Sequence, residues 1–80
     1  MNTVSERVKT VLSRVFNVGE EVVNENSSPD TIEKWDSMGH LNLAVALEEE
    51  FKTELSEEEI MELMNFKLIV LMLKEKTGLQ

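Results

Sequence analysis

Trp35-Asp36-Ser37-Met38-Gly39-His40-Leu41-Asn42-Leu43-Ala44-Val45-Ala46-Leu47-Glu48-Glu49-Glu50-Phe51 decides how this chain folds. Asp36 and Ser37 are both strong helix caps, and the spacing beyond them predicts a helix from about Ser37 to Phe51. At about 100° per residue, Leu43, Ala44, Leu47 and Phe51 share one face. Met38, Leu41 and Val45 fall on the opposite face, with Asn42 and Glu48 beside them. One helix cannot bury both stripes against the same neighbour. If the first stripe faces the core, the second faces solvent, a crevice or a partner. The competing arrangement buries the two stripes against different helices, for which the limited core of a small domain leaves less room.

Upstream, Val4, Val8, Val11, Leu12 and Val15 recur at helical spacing. Thr3 and Glu6 have capping-box spacing, so this helix starts at Thr3 and ends near Phe16 or Asn17, before Gly19. Residues 17–36 form a long connection rich in turn and cap formers: Asn24, Asn26, Ser27, Ser28, Pro29 and Asp30. A loop that long must be functional or pinned to the core. Val22, Val23, Ile32 and Trp35 are the expected pins, with a short turn of helix near residues 31–35. Downstream, Ser56 and Glu59 repeat the capping-box spacing and open a short helix, about 57–63, expected to bury some of Ile60, Met61 and Met64. Asn65 caps a last helix, about 66–77. Its stripe is Phe66, Ile69, Val70 and Leu73, broadened by Leu68, Leu71 and Met72. Lys74 and Lys76 suit its C-terminal end, and Gly78 stops it. No strand alternation appears. Residues 1–80 therefore read as one all-α domain, a small bundle of three longer helices and one short helix.

Composition narrows the chemistry. Cysteine is absent, which removes disulfides, thiolate metal sites and cysteine nucleophiles. His40 is the single histidine, so multi-histidine metal sites are excluded. The three glycines, at 19, 39 and 78, cannot write a phosphate-cradling loop. The opening residues lack a signal-peptide core and no apolar run approaches a membrane span, so a cytoplasmic protein without membrane insertion is expected. The net charge is −8, and residues 20–62 alone hold −12, with fourteen acids against Lys34 and Lys52. So acidic a middle repels nucleic acid and favours partners with basic docking patches.

Classical catalysis is hard to assemble from this set. A Ser37–His40–Asp36 triad has no evident oxyanion hole, and Asp36 points away from His40 if it caps the helix. No metal site is expected: Asp30 and Asp36 do not fit a calcium loop, and Glu48-Glu49-Glu50 reads as a solvated helix face. Ser37 is different. At the start of a helix its hydroxyl is exposed, and free N–H groups there stabilise an attached phosphate. The plainer reading is that Ser37 caps the helix.

Residues 35–41, with Ala46-Leu47-Glu48-Glu49-Glu50-Phe51, resemble the prosthetic-group motif of acyl and peptidyl carrier proteins, an Asp-Ser-Leu core opening a helix that ends in a Leu-Glu-Glu-Glu-Phe-like run. The order of helices and the long loop extend the resemblance over nearly the whole chain. It implies a non-enzymatic shuttle with 4′-phosphopantetheine on Ser37, placed there from coenzyme A by a Mg2+-dependent phosphopantetheinyl transferase and carrying acyl groups as thioesters. It also implies a docking surface of Asp36, Met38, Leu41, Val45 and Glu48 for that transferase and for acyl-activating, acyl-transferring or condensing enzymes. Leu43, Ala46, Leu47 and Phe51 would face the core or an acyl crevice, and the carrier would act as a monomer. Three departures stand out. Met38 replaces the usual Leu. Gly39 and Asn42 are uncharged where carriers of primary fatty-acid synthesis show acids. Trp35 and Gly39-His40-Leu41 are more similar to carriers of specialised polyketide, peptide or modified-lipid pathways. A freestanding carrier is expected. The alternatives are a peptidyl or aminoacyl carrier of the D-alanyl type, or an unmodified acidic helical adaptor.

Overall fold

The computed structural model describes residues 3–80, with Met1 and Asn2 outside it. Its elements in chain order are α1 (Val4–Phe16), a single 3-10 turn (Glu20–Val22), α2 (Ser37–Phe51), α3 (Glu57–Met61) and α4 (Phe66–Thr77), with no strand among the described residues. The expected bundle of three longer helices and one short helix is therefore what the chain forms.

Each helix starts on a capping side chain. At α1 the Glu6 N–H donates to Thr3 Oγ1 and the Thr3 N–H donates back to Glu6 Oε1, both at 3.2 Å. Ser56 and Glu59 repeat the reciprocal box at α3, at 3.1 and 2.9 Å. Asn65 Oδ1 accepts from the Leu68 N–H at 2.8 Å to open α4. At the other ends, Asn17 and Gly78 take left-handed backbone angles, φ 54° and 72°, which Asn tolerates and Gly adopts freely.

The core is one cluster. α1 packs against both α2 and α4. Val4, Val8, Val11, Leu12 and Phe16 meet Leu43, Ala44, Leu47 and Phe51 from α2, and Phe66, Ile69, Val70 and Leu73 from α4. Arg7 clasps the far end of α2: its Nε donates to Glu50 Oε2 at 2.9 Å, its Nη2 donates to the Glu50 carbonyl at 2.7 Å, and its guanidinium lies 4.3 Å from the Phe51 ring centre. Burial of the α2 stripe on one side only answers the question its two faces raise, because the opposite stripe stays in solvent.

Four details depart from the sequence expectations. Val23, Ile32 and Trp35 pin the long connection, but Val22 is exposed. Val23 leaves the 3-10 turn in extended backbone, where neighbouring side chains point to opposite sides, so only one of the pair reaches the core. Residues 31–35 form successive turns instead of a helix, and the helical turn sits earlier, at Glu20–Val22. α3 ends at Met61, short of residue 63, and of the three residues offered for burial only Ile60 reaches the core, in part. The chain tightens there, with Leu63 N–H bonding the Ile60 carbonyl at 3.2 Å. Leu63 turns fully inward, Met61 and Met64 stay exposed, and Ile60 is half-buried. Finally, Leu68 and Leu71 of α4 are exposed, because its neighbours cover only the face opposite them.

Ser27 supplies a pin the sequence did not announce. It is buried, and its Oγ accepts from the Asn24 N–H at 2.9 Å. Its carbonyl accepts the Phe66 N–H at 2.9 Å, satisfying a donor that the start of α4 would leave unpaired.

The capping boxes make stability depend on pH. The Thr3 N–H and hydroxyl hold the Glu6 carboxyl below its ordinary value of 4.5. The Ser56 N–H, then the Lys76 ammonium, do the same for Glu59. A carboxyl lowered in the folded state stabilises fully above its ordinary value, and this is lost as pH falls through the lowered one. Glu59→Ala is therefore expected to be less stable than wild type at neutral pH, with the gap narrowing below about pH 4.5. Urea midpoints of both proteins across that range check it; a gap that stays constant contradicts it.

Candidate functional site

Asp36 takes the cap of α2, and this frees Ser37. Asp36 Oδ1 accepts from the Gly39 N–H at 2.8 Å, and the Asp36 carbonyl accepts the first bond of the helix, from the His40 N–H, at 2.7 Å. The plainer reading of Ser37 as the cap is thereby corrected: one residue does that work, and it is the one before. Ser37 is the first residue of the helix proper, exposed, and its hydroxyl makes no hydrogen bond among the described residues. The N–H groups of Ser37 and Met38 belong to the first turn, where no intrahelical acceptor exists.

The ground beneath Ser37 is rigid. Trp35 stacks on Phe16, ring centres 5.2 Å apart, and its Nε1–H donates to His40 Nδ1 at 3.0 Å. Indole nitrogen only donates, so Nδ1 accepts and His40 carries its proton on Nε2. That N–H is 2.7 Å from the Ile60 carbonyl and donates to it. One imidazole thus ties the end of the long connection, the first turn of α2 and the end of α3. Gly39 lies against the same seam; a Cβ there would collide with the Lys34 carbonyl oxygen and press on the Phe16 ring. With both ring nitrogens engaged and Asp36 on Gly39, the structure does not assemble the Ser37–His40–Asp36 relay.

A cleft of about 390 Å³ opens beside Ser37, walled by Trp35, Asp36, His40, Leu63 and the exposed Met61 and Met64. On the outer face of α2, Met38, Leu41 and Val45 are 70%, 58% and 53% exposed. The structure therefore brings Asp36, Ser37, Met38, Leu41 and Val45 onto one accessible surface. Glu48 follows Val45 on the same side of α2 and lines a depression with it; it is half-buried, and its Oε2 accepts the Leu55 N–H at 2.8 Å, fastening the turn after α2. Leu43, Leu47 and Phe51 face the core, and Ala46 is half-buried at its edge. The Trp35–His40–Ile60 bridge and the methionine wall of the cleft carry no signal in sequence spacing, since both depend on where α3 lands.

No protein-family model matches this chain. Among the described residues, no helix is long and apolar enough to cross a membrane, and no three acidic, histidine or cysteine side chains gather as a metal site would require.

Proposed function

We propose that this protein is an acyl carrier whose Ser37 Oγ bears 4′-phosphopantetheine. The observation that carries the reading is the division of labour at the start of α2: Asp36 caps, so the adjacent Ser37 hydroxyl is exposed and unengaged. The residues present fit the group. A phosphodiester on Ser37 would lie against unpaired first-turn N–H groups and the positive end of the helix dipole. The neighbouring cleft, with Trp35, Met61 and Met64 in its walls, offers apolar contact to a linear arm. When bound, the arm supplies the thiol that holds an acyl group as a thioester. The chain's own part is to position the attachment point and to be recognised.

Recognition falls to the outer face of α2. Asp36, Met38, Leu41 and Val45 would meet a phosphopantetheinyl transferase and then acyl-activating, acyl-transferring or condensing enzymes. An acidic surface around a small apolar centre gives fast, short-lived docking on basic patches, which suits a shuttle. Departures from the primary fatty-acid pattern, the uncharged Gly39 and Asn42, favour a specialised polyketide or modified-lipid pathway. Glu48, engaged with the Leu55 N–H, acts in this surface as a support for the turn that follows α2.

Intact-protein mass tests the proposal. Incubation with coenzyme A, Mg2+ and a broad-specificity phosphopantetheinyl transferase is expected to add one phosphopantetheine. No addition by several transferases would overturn the carrier reading in favour of an unmodified helical adaptor. Which activating enzyme then loads the holo protein distinguishes acyl from aminoacyl cargo. Leu41→Asp is expected to lower kcat/KM for arm transfer by about tenfold or more, as loss of a central apolar anchor does. Leu41 is exposed, so the circular-dichroism spectrum and melting temperature should stay near wild type.

A further inference from the structure

The outer face of α4 is a second apolar surface, separate from the face of α2. Leu68, Leu71, Met72 and Glu75 follow one another at helical spacing, on the side turned away from the buried Ile69, Val70 and Leu73. With Met64 and Glu62 they line a depression of about 410 Å³. Met64 also walls the cleft beside Ser37, so the two surfaces meet on one flexible thioether side chain.

Its charges are informative because the fold does not explain them. The only charged residues lining the depression are Glu62 and Glu75. Neither is in an ion pair among the described residues, where the pairs are Arg7–Glu50 and Lys76–Glu59. Glu62 sits at the C-terminal cap of α3 and Glu75 in the last turn of α4. Glu62 stands at a carbonyl end, where negative charge is unfavourable, and Glu75 shares the last turn of α4 with Lys74 and Lys76, which lie outside the depression. A cation brought by another molecule would pair with Glu62 at one end of the apolar strip and meet Glu75 at the other.

We propose that this groove docks an amphipathic helix of a partner protein. Its apolar side chains would lie on Met64, Leu68, Leu71 and Met72, and its Lys or Arg residues would reach Glu62 and Glu75. The twelve residues of α4 offer a strip roughly 18 Å long, room for about three turns of a partner helix. A second copy of this chain is opposed by the net charge of −8, although its α4 carries Lys67, Lys74 and Lys76 beside Glu75; it and an anionic membrane are separated from a partner helix by the test.

The test titrates a capped amphipathic Leu/Lys helical peptide of about four turns into 15N-labelled protein, followed by amide shifts and fluorescence anisotropy. Shifts are expected to concentrate on residues 62–75, and the same peptide with Glu for Lys should not bind. A Leu68→Ser/Leu71→Ser variant is expected to weaken binding about tenfold or more. Glu62→Gln/Glu75→Gln should weaken binding several-fold while raising the melting temperature of the free protein, opposite signs that a purely structural role would not produce. Shifts confined to Met38, Leu41 and Val45, or unaltered affinity in the Gln variant, would overturn the proposal. So would self-association by sedimentation that Leu68→Ser/Leu71→Ser abolishes, or binding to anionic phospholipid vesicles instead of the peptide. None of these readouts depends on whether Ser37 accepts the arm.

Discussion

Ser37→Ala is expected to leave the protein's mass unchanged under conditions in which wild type gains one phosphopantetheine, an all-or-none loss. The strength of this test lies in what the substitution leaves alone. Ser37 is exposed, its hydroxyl donates and accepts nothing among the described residues, and it is not the cap of its helix. Alanine at a first helical position is well tolerated, so stability should move by no more than about 0.5 kcal/mol. Asp36→Ala supplies the contrast. It removes the acceptor of the Gly39 N–H at 2.8 Å and should cost about 0.5–2 kcal/mol, while Ser37 keeps its hydroxyl. A carrier therefore shows opposite patterns: Ser37→Ala folds and is not modified, and Asp36→Ala is weakened but still modified, more slowly through loss of a docking carboxylate. If Ser37→Ala still takes up the arm, attachment lies elsewhere and the role assigned to the start of α2 is wrong. If instead neither wild type nor variant is modified, and Leu41→Asp abolishes partner binding that Ser37→Ala leaves intact, the exposed stripe serves an adaptor.

The split at α2 also marks how far sequence carries. Two apolar stripes on one helix are readable from spacing alone; that the outer one lacks an intramolecular neighbour is the favoured of two arrangements, and the structure decides it. The caps at Thr3, Ser56 and Asn65 were equally legible, because a capping bond spans only three residues. Asp36 and Ser37 were not separable that way: adjacent cap formers differ only in backbone angles, which the structure resolves in favour of Asp36. Errors gathered where the chain leaves regular structure. Helical projection offers Ile60, Met61 and Met64 for burial, but α3 ends at Met61, so only Ile60 reaches the core, in part, and the turn delivers Leu63 in place of the methionines. Val22 and Val23 were indistinguishable until the 3-10 turn set which one faces inward. The His40 bridge to Trp35 and Ile60 links residues up to twenty apart, and no local pattern encodes it.

Trp35→Ala should be the most destabilising single change near the site. Trp35 is buried, stacks on Phe16 and holds His40 Nδ1 by its indole N–H. Removing a buried tryptophan costs about 3–5 kcal/mol through lost transfer energy and the cavity left behind. His40 Nδ1 would also lose its donor. A domain of this size holds roughly 4–12 kcal/mol in total, so the variant should be marginally folded at 25 °C, with a melting temperature lowered by more than about 12 °C. Trp35→Phe is the milder change. It keeps a stacking ring but loses the N–H and the volume of the fused pyrrole ring, so its cost should be about 1–3 kcal/mol. Circular dichroism checks both, since Trp35 is the only tryptophan and its fluorescence is lost on substitution. A loss under about 1 kcal/mol for Trp35→Ala would mean that Val23, Ile32 and Ser27 hold the long connection without it. The expected loss bears on function as well as folding. Residues 17–36 have no helix of their own beyond one 3-10 turn, and Trp35 is their last anchor before Ser37. Trp35→Phe should therefore retain most arm transfer, whereas Trp35→Ala, even where folded at low temperature, should be modified more slowly because the start of α2 is no longer held in place.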